Sequence, residues 1–126
     1  MSSMSLDGRT ILIVEDDYLI GKTLAELLAN EGATVVGPLG WVDEAVAVAK
    51  DTRKVFDTAI LDVNLHGVLS YPVADALLAR DVRVIFATGY GPGPQGQSYR
   101  GCAHCTKPFD RSTLLSALLA PREEGC

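Results

Sequence analysis

The chain has 126 residues, 48% of them hydrophobic and 21% charged, the balance of one globular domain and too short for two. No apolar run approaches the ~20 residues that cross a bilayer, which excludes a helical membrane span. The net charge of −5, with eleven Lys and Arg that form no run, argues against nucleic acid or an anionic membrane as partner and for a protein or a small anion.

The amino end, residues 1–8, has neither a basic stretch nor an apolar core that would mark it for export. It is expected to be flexible, and the protein to be cytoplasmic. Thr10-Ile11-Leu12-Ile13-Val14 then reads as a first strand. A helix follows Asp17, with Leu19, Ile20, Thr23, Leu24, Leu27 and Leu28 at the spacing of one face and Gly32 as its stop. Ala33 to Val36 reads as a second strand closed by Gly37-Pro38. A second helix follows, with a narrow apolar side of Val42, Ala45, Val46 and Ala49.

Thr58-Ala59-Ile60-Leu61 is the third strand and ends at Asp62. A polar loop with Asn64, His66 and Gly67 leads into a helix over about 73–79, with Pro72 accepted in its first turn. The fourth strand runs from Val82 to Ala87. Residues 89–98 hold so many Gly and Pro that a regular fourth helix is not expected, because Gly costs about 1 and Pro about 3 kcal/mol in a helix interior. Cys102 to Thr106 is a weaker fifth strand. Asp110 or Ser112 can cap a last helix whose Leu114, Leu115, Leu118 and Leu119 face the sheet, ending before Pro121. Residues 9–120 therefore form the domain and 121–126 a tail, with no linker, repeat or output domain.

Three cysteines without an export signal are expected to be reduced thiols. Cys102 and Cys105 form a C-x-x-C with no second pair, which reads as small apolar strand residues rather than a zinc site.

Strands alternating with helices argue for an α/β fold around a parallel sheet. In such a sheet Glu15, Asp16, Asp62, Thr88 and Lys107, each just past an apolar run, meet at the carboxyl edge where ligands bind. Taken singly, any strand must end in something polar. Taken together, three acids suit a hard divalent cation, while a hydroxyl and an ammonium suit an anion carried by one of the acids. The chemistry suggested is phosphoryl transfer onto an aspartate. Asp17 is left out of this set and placed in the first turn of the first helix, where the helix dipole favours an acid.

The segments Ile11-Leu12-Ile13-Val14-Glu15-Asp16-Asp17, Ala59-Ile60-Leu61-Asp62-Val63-Asn64, Phe86-Ala87-Thr88-Gly89-Tyr90 and Thr106-Lys107-Pro108-Phe109 together resemble the receiver domain of two-component response regulators. The resemblance covers about residues 9–120. It implies a flavodoxin-like (CheY-like) fold, five parallel strands in order 2-1-3-4-5 with helices on both faces, the fourth helix here being short or replaced by a flexible loop. It implies phosphorylation of Asp62 by a histidine kinase or a histidine phosphotransfer protein. It further implies Mg2+, for which Mn2+ can substitute, on Glu15, Asp16, Asp62 and the backbone carbonyl of Asn64, with Thr88 and Lys107 on the phosphoryl oxygens. A cis peptide between Lys107 and Pro108 is implied as well. The Phe86 to Tyr90 segment looks like the FAT GUY subgroup of stand-alone receivers, known from alphaproteobacteria and linked there with stress signalling.

Glu15 is expected to act mainly through water, and Lys107 to pair with Asp62 before any phosphoryl group arrives. Tyr90 is expected to obstruct the water that would hydrolyse the product. Two positions depart from the family pattern: His104 stands where an aromatic switch residue is usual, and His66 where a proline is usual. The expected role is a phosphorylation-controlled binding switch or relay, monomeric or weakly dimeric, read by a downstream protein at residues 89–101 and the last strand and helix. Two alternatives stand beside it: a fragment of a hybrid kinase, and a magnesium-dependent phosphohydrolase with an aspartyl-phosphate. The hydrolase would need an aspartate where Asn64 stands.

Overall fold

Strand β1 (Thr10–Val14) lies in the middle of a parallel sheet, with β2 (Thr34–Leu39) on one side and β3 (Thr58–Asp62), β6 (Arg83–Thr88) and β7 (Ala103–Thr106) on the other, in the order β2-β1-β3-β6-β7. The computed structural model describes residues 5–89, 102–107, 110–121 and 126. A strand buried on both faces needs apolar side chains at every position, which is why β1 and β3 are unbroken apolar runs rather than alternating ones. Leu12, Val14, Ala59, Leu61, Val84 and Phe86 point to one face, under α2 (Val42–Lys50) and α3 (Tyr71–Leu78). Ile11, Ile13, Ile60, Ile85 and Ala87 point to the other, under α1 (Tyr18–Asn30) and α4 (Arg111–Leu119).

Helices α1 and α4 are held at their ends. Asp17 is the cap of α1 and not a member of its first turn: its Oδ1 accepts from the Ile20 N–H at 3.0 Å, satisfying a donor the helix leaves free. Asp110 does the same for α4 through the Thr113 N–H at 2.8 Å. At the other end of α4, Arg83 donates to the carbonyls of Ala117 and Ala120, both at 2.8 Å, and Arg9 to that of Leu118 at 3.3 Å. These guanidinium groups face the negative pole of the helix.

The expected elements are present, with four differences. Strand β2 runs on through Gly37-Pro38 to Leu39, because Gly37 takes φ +96 where a Cβ would lie 2.6 Å from the Ile13 carbonyl. The buried face of α1 is Gly21, Leu24 and Leu28 with Leu27 packed beside them; Leu19 and Thr23 are exposed and Ile20 partly so, because α1 packs on β2 through Gly21, where a Cβ would come 2.9 Å from Pro38. In α4, Leu119 is likewise exposed. After Asp62 the chain forms a small antiparallel hairpin of β4 (Asn64–Leu65) and β5 (Val68–Leu69), turned by His66 and Gly67 at φ +51 and +84. Two positive φ values are what a two-residue hairpin turn of the primed type requires.

Both ends of the chain have packed residues. Leu6 is wholly buried among Leu24, Leu28 and the α4 leucines, and its N–H donates to the Glu31 carbonyl at 2.8 Å. The expectation of reduced thiols is corrected: Cys102 and Cys126 form a disulfide, with Cα atoms 5.1 Å apart. Both lie in the core beneath α2 and α3, and Cys126 Sγ sits 3.3 Å from the Val84 carbonyl. Cys105 is a buried free thiol on the opposite face, where burial raises its pKa. Cys102 and Cys105 thus face different cores and cannot ligate one metal. The segment expected in place of a fourth helix, the Lys107-Pro108 bond and Tyr90 lie outside the described residues.

Candidate functional site

The strand register gathers the site. Val14 pairs with Leu61, Asp62 with Ala87, and Thr88 with Thr106, so that Glu15, Asp16, Asp62, the end of β6 and Lys107 all leave the sheet at its carboxyl edge. Carboxylate oxygens of Glu15, Asp16 and Asp62 lie within 4.8 Å of one another. The Thr88 backbone closes β6 at this edge; its side chain is outside the described part of the structure.

Each of the three acids accepts one backbone N–H. Asp17 donates to Glu15 Oε2 at 3.1 Å, His66 to Asp16 Oδ2 at 2.9 Å, and Asn64 to Asp62 Oδ1 at 3.1 Å. Lys107 Nζ donates to Asp62 Oδ2 at 2.9 Å and also to Glu15 Oε1. The expected pairing of Lys107 with Asp62 is therefore present, with Glu15 sharing it. The side chains of Glu15 and Asp62 are mostly buried, at 4% and 12% exposure.

Burial and the neighbouring Asp62 carboxylate push Glu15 up to about 7, against the pull of Lys107 and the Asp17 N–H. Burial pulls Lys107 down, but the two carboxylates outweigh it and hold its pKa above the ordinary value. For Asp16, burial is the largest influence and acts upward, but the His66 N–H, a hydrogen bond from Glu15 and smaller contributions together outweigh it, and its pKa is lowered. One ammonium among three carboxylates leaves the cluster with surplus negative charge. Its donors are hard oxygens, and a small divalent cation matches both features.

A model of the response regulator receiver domain matches residues 11–119. The chain belongs to this family. Receiver domains are the signalling phosphoacceptor domains of two-component response regulators, and they bind Mg2+ at an acidic pocket of this kind. SdrG from Sphingomonas melonis Fr1, whose solution structure is known, is 40% identical to this receiver domain, with 94% of this chain and 96% of that one covered and a TM-score of 0.76. SdrG in its BeF3-activated conformation is 39% identical, with 95% and 100% covered and a TM-score of 0.72. The transcriptional regulatory protein PdtaR of Mycobacterium tuberculosis is 30% identical over 114 residues, which are 87% of this chain and 55% of that protein. The chain spans about half the length of the curated relatives it matches.

Three contacts escaped the reading of the sequence. The His66 N–H on Asp16 depends on a hairpin too short to carry a pattern. Ser70 is wholly buried and its Oγ donates to the Asp62 carbonyl at 2.5 Å; a serine before a helix signals a cap, not this bond. The exposed Trp41 ring stacks on His66, centroids 3.7 Å apart. His104 is a half-buried strand residue whose ring stacks on Phe86 at 5.1 Å, and Phe86 leans on Tyr71 at 5.8 Å.

Proposed function

We propose that Asp62 accepts a phosphoryl group from the phosphohistidine of a kinase or phosphotransfer protein, and that the product switches the binding of a downstream protein or passes the group on. The observation that supports this reading most directly is Lys107 Nζ on Asp62 Oδ2 within a cluster of three acids. A carboxylate oxygen of Asp62 attacks phosphorus, the N–P bond breaks, and the imidazole leaves with its electron pair. Lys107 exchanges Asp62 for a phosphoryl oxygen through a charge-assisted hydrogen bond, and the Thr88 hydroxyl takes another.

Glu15, Asp16, Asp62 and the Asn64 carbonyl would hold Mg2+, which when bound offsets the charge of the approaching phosphoryl group. The Asn64 N–H keeps Asp62 Oδ1 oriented meanwhile. Tyr18 and Leu19, 77% and 69% exposed in the first turn of α1, give the donor protein an apolar rim beside the site. In this reading the domain works in the cytoplasm and binds neither nucleic acid nor membrane; among the described residues no helix is long and apolar enough to cross a bilayer.

Incubation with Mg2+ and acetyl phosphate tests the assignment by intact mass. Wild type gains one phosphoryl group and Asp62→Asn none; label that persists in Asp62→Asn overturns it. Turnover of a generic phosphate ester would point to a hydrolase instead. Asn64 has no acidic proton for that chemistry, and its side-chain oxygen already accepts the Gly67 N–H at 2.8 Å.

A further inference from the structure

We propose that Trp41 and His66 are positioning residues that clasp the loop after β3 onto Asp16 and so set that carboxylate for the divalent cation; this rests on the site reading above. The His66 N–H is the described backbone donor on Asp16, reaching Oδ2 at 2.9 Å from 50 residues along the chain. It arrives there on the turn of the β4–β5 hairpin, whose strands have two residues each. A hairpin this small does not hold itself in water. Its turn residue also takes φ +51, a region that costs a residue with a Cβ roughly 1 kcal/mol or more.

Besides the Gly67 N–H on Asn64 Oδ1, a ring contact steadies the tip. The His66 imidazole lies flat on the Trp41 indole, 3.7 Å between centroids and 14° between planes. Trp41 is not a core residue: it is 56% exposed and stands at the start of α2, where its side chain makes no capping bond. Gly40 beside it brings the same loop against the other two. A Cβ on Gly40 would lie 3.6 Å from both Asp16 Cα and His66 Nε2. The loops after β1, β2 and β3 therefore meet at one point, where the Asp16 carboxylate joins the first to the third and the stack joins the second to the third. A proline at position 66 could make none of this, having neither an N–H nor access to positive φ.

The clasp acts on the cation through Asp16, so its loss should weaken cation binding while leaving the chemistry on Asp62 intact. The test is Mg2+ affinity by isothermal titration calorimetry on the whole chain, alongside the rate of labelling by acetyl phosphate as Mg2+ is varied. Trp41→Ala removes the indole, and His66→Gly removes the imidazole but keeps the N–H and suits the turn. Each is expected to weaken Mg2+ about tenfold, the low end of what an outer contact to a metal ligand contributes. The pair together should weaken it no further than either alone, because both break one contact. Trp41→Phe keeps a flat ring and should stay within about twofold of wild type. The labelling rate at saturating Mg2+ should be unchanged in all three single variants.

Trp41→Ala and His66→Gly that bind Mg2+ as wild type does would overturn the clasp, as would additive losses in the double variant or a loss confined to the saturated rate. Asp16→Asn separates this from failure of the site itself: if it binds Mg2+ as well as wild type, the cation site is wrong, whatever Trp41 does. Melting temperatures of the variants close to wild type confirm that the exposed pair was removed without unfolding the domain.

Discussion

Lys107, one residue past the end of β7, spans two acids on two other strand ends, Asp62 at 2.9 Å and Glu15 beside it. The two carboxylates are mostly buried, and Lys107 is the one described side-chain cation on either of them. Removing it leaves two mostly buried carboxyl groups packed together with no described cation on either.

Lys107→Ala should therefore destabilise the metal-free protein by about 1–3 kcal/mol, below the loss seen for a fully buried pair because the cluster keeps some access to water. Added Mg2+ should restore most of this. Denaturant melts with and without Mg2+ check it; a variant as stable as wild type without metal would show that the ammonium does not balance the acids. Labelling by acetyl phosphate should slow by at least about tenfold, one lost charge-assisted contact to the phosphoryl group.

Glu15 gives the metal-free protein a pH dependence of definite sign. Its folded pKa, about 7, lies above the ordinary 4.5. Between these values the folded state keeps a proton that the unfolded chain releases, so stability falls as pH rises from about 4.5 to about 7 and then levels. Glu15→Gln should flatten that slope. Melting temperatures across this range in chelator, wild type against variant, decide it; a wild type that gains stability over the same range would contradict the assignment.

Ser70→Ala tests whether the phosphoacceptor loop is locked from beneath. The hydroxyl is wholly buried and donates to the Asp62 carbonyl at 2.5 Å, while the Ser70 N–H donates to Val63 at 2.9 Å. Deleting the hydroxyl leaves a buried carbonyl short of a partner, a loss of about 1–3 kcal/mol. Ser70→Thr, which keeps the hydroxyl, should recover part of it. A Ser70→Ala chain that melts with wild type would show the bond to be idle.

The parts legible in the sequence were those with a repeated signal. β1 and β3 are apolar without interruption because helices cover both faces, and the acids and Lys107 stand just beyond such runs. The helical period of α1 was legible, and Leu24, Leu27 and Leu28 of the expected face do pack on the sheet, but its first turn was not, since Gly21 meets Pro38 from another element and Leu19 and Ile20 turn outward. The hairpin was not legible, because two-residue strands carry no alternation and His66 at positive φ is outside the usual Gly, Asn and Asp. Nor was the disulfide, whose partners are 24 residues apart and belong to a spacing that names no connectivity.

The disulfide is itself open to measurement. It joins the residue before β7 to the final residue, and both sulfur atoms sit in the core beneath α2 and α3. Closing a loop of this length removes about 3 kcal/mol of chain entropy from the unfolded state, worth a melting temperature roughly 10 °C higher in a domain of this size. Oxidised wild type should melt above wild type in dithiothreitol by about that much, and Cys126→Ser should match the reduced protein in either buffer. The bond lies at the amino end of β7 and Lys107 at the carboxyl end, so phosphoryl labelling at room temperature should be equal in all three. A Cys126→Ser chain that melts with oxidised wild type would mean that the bond does not form in solution.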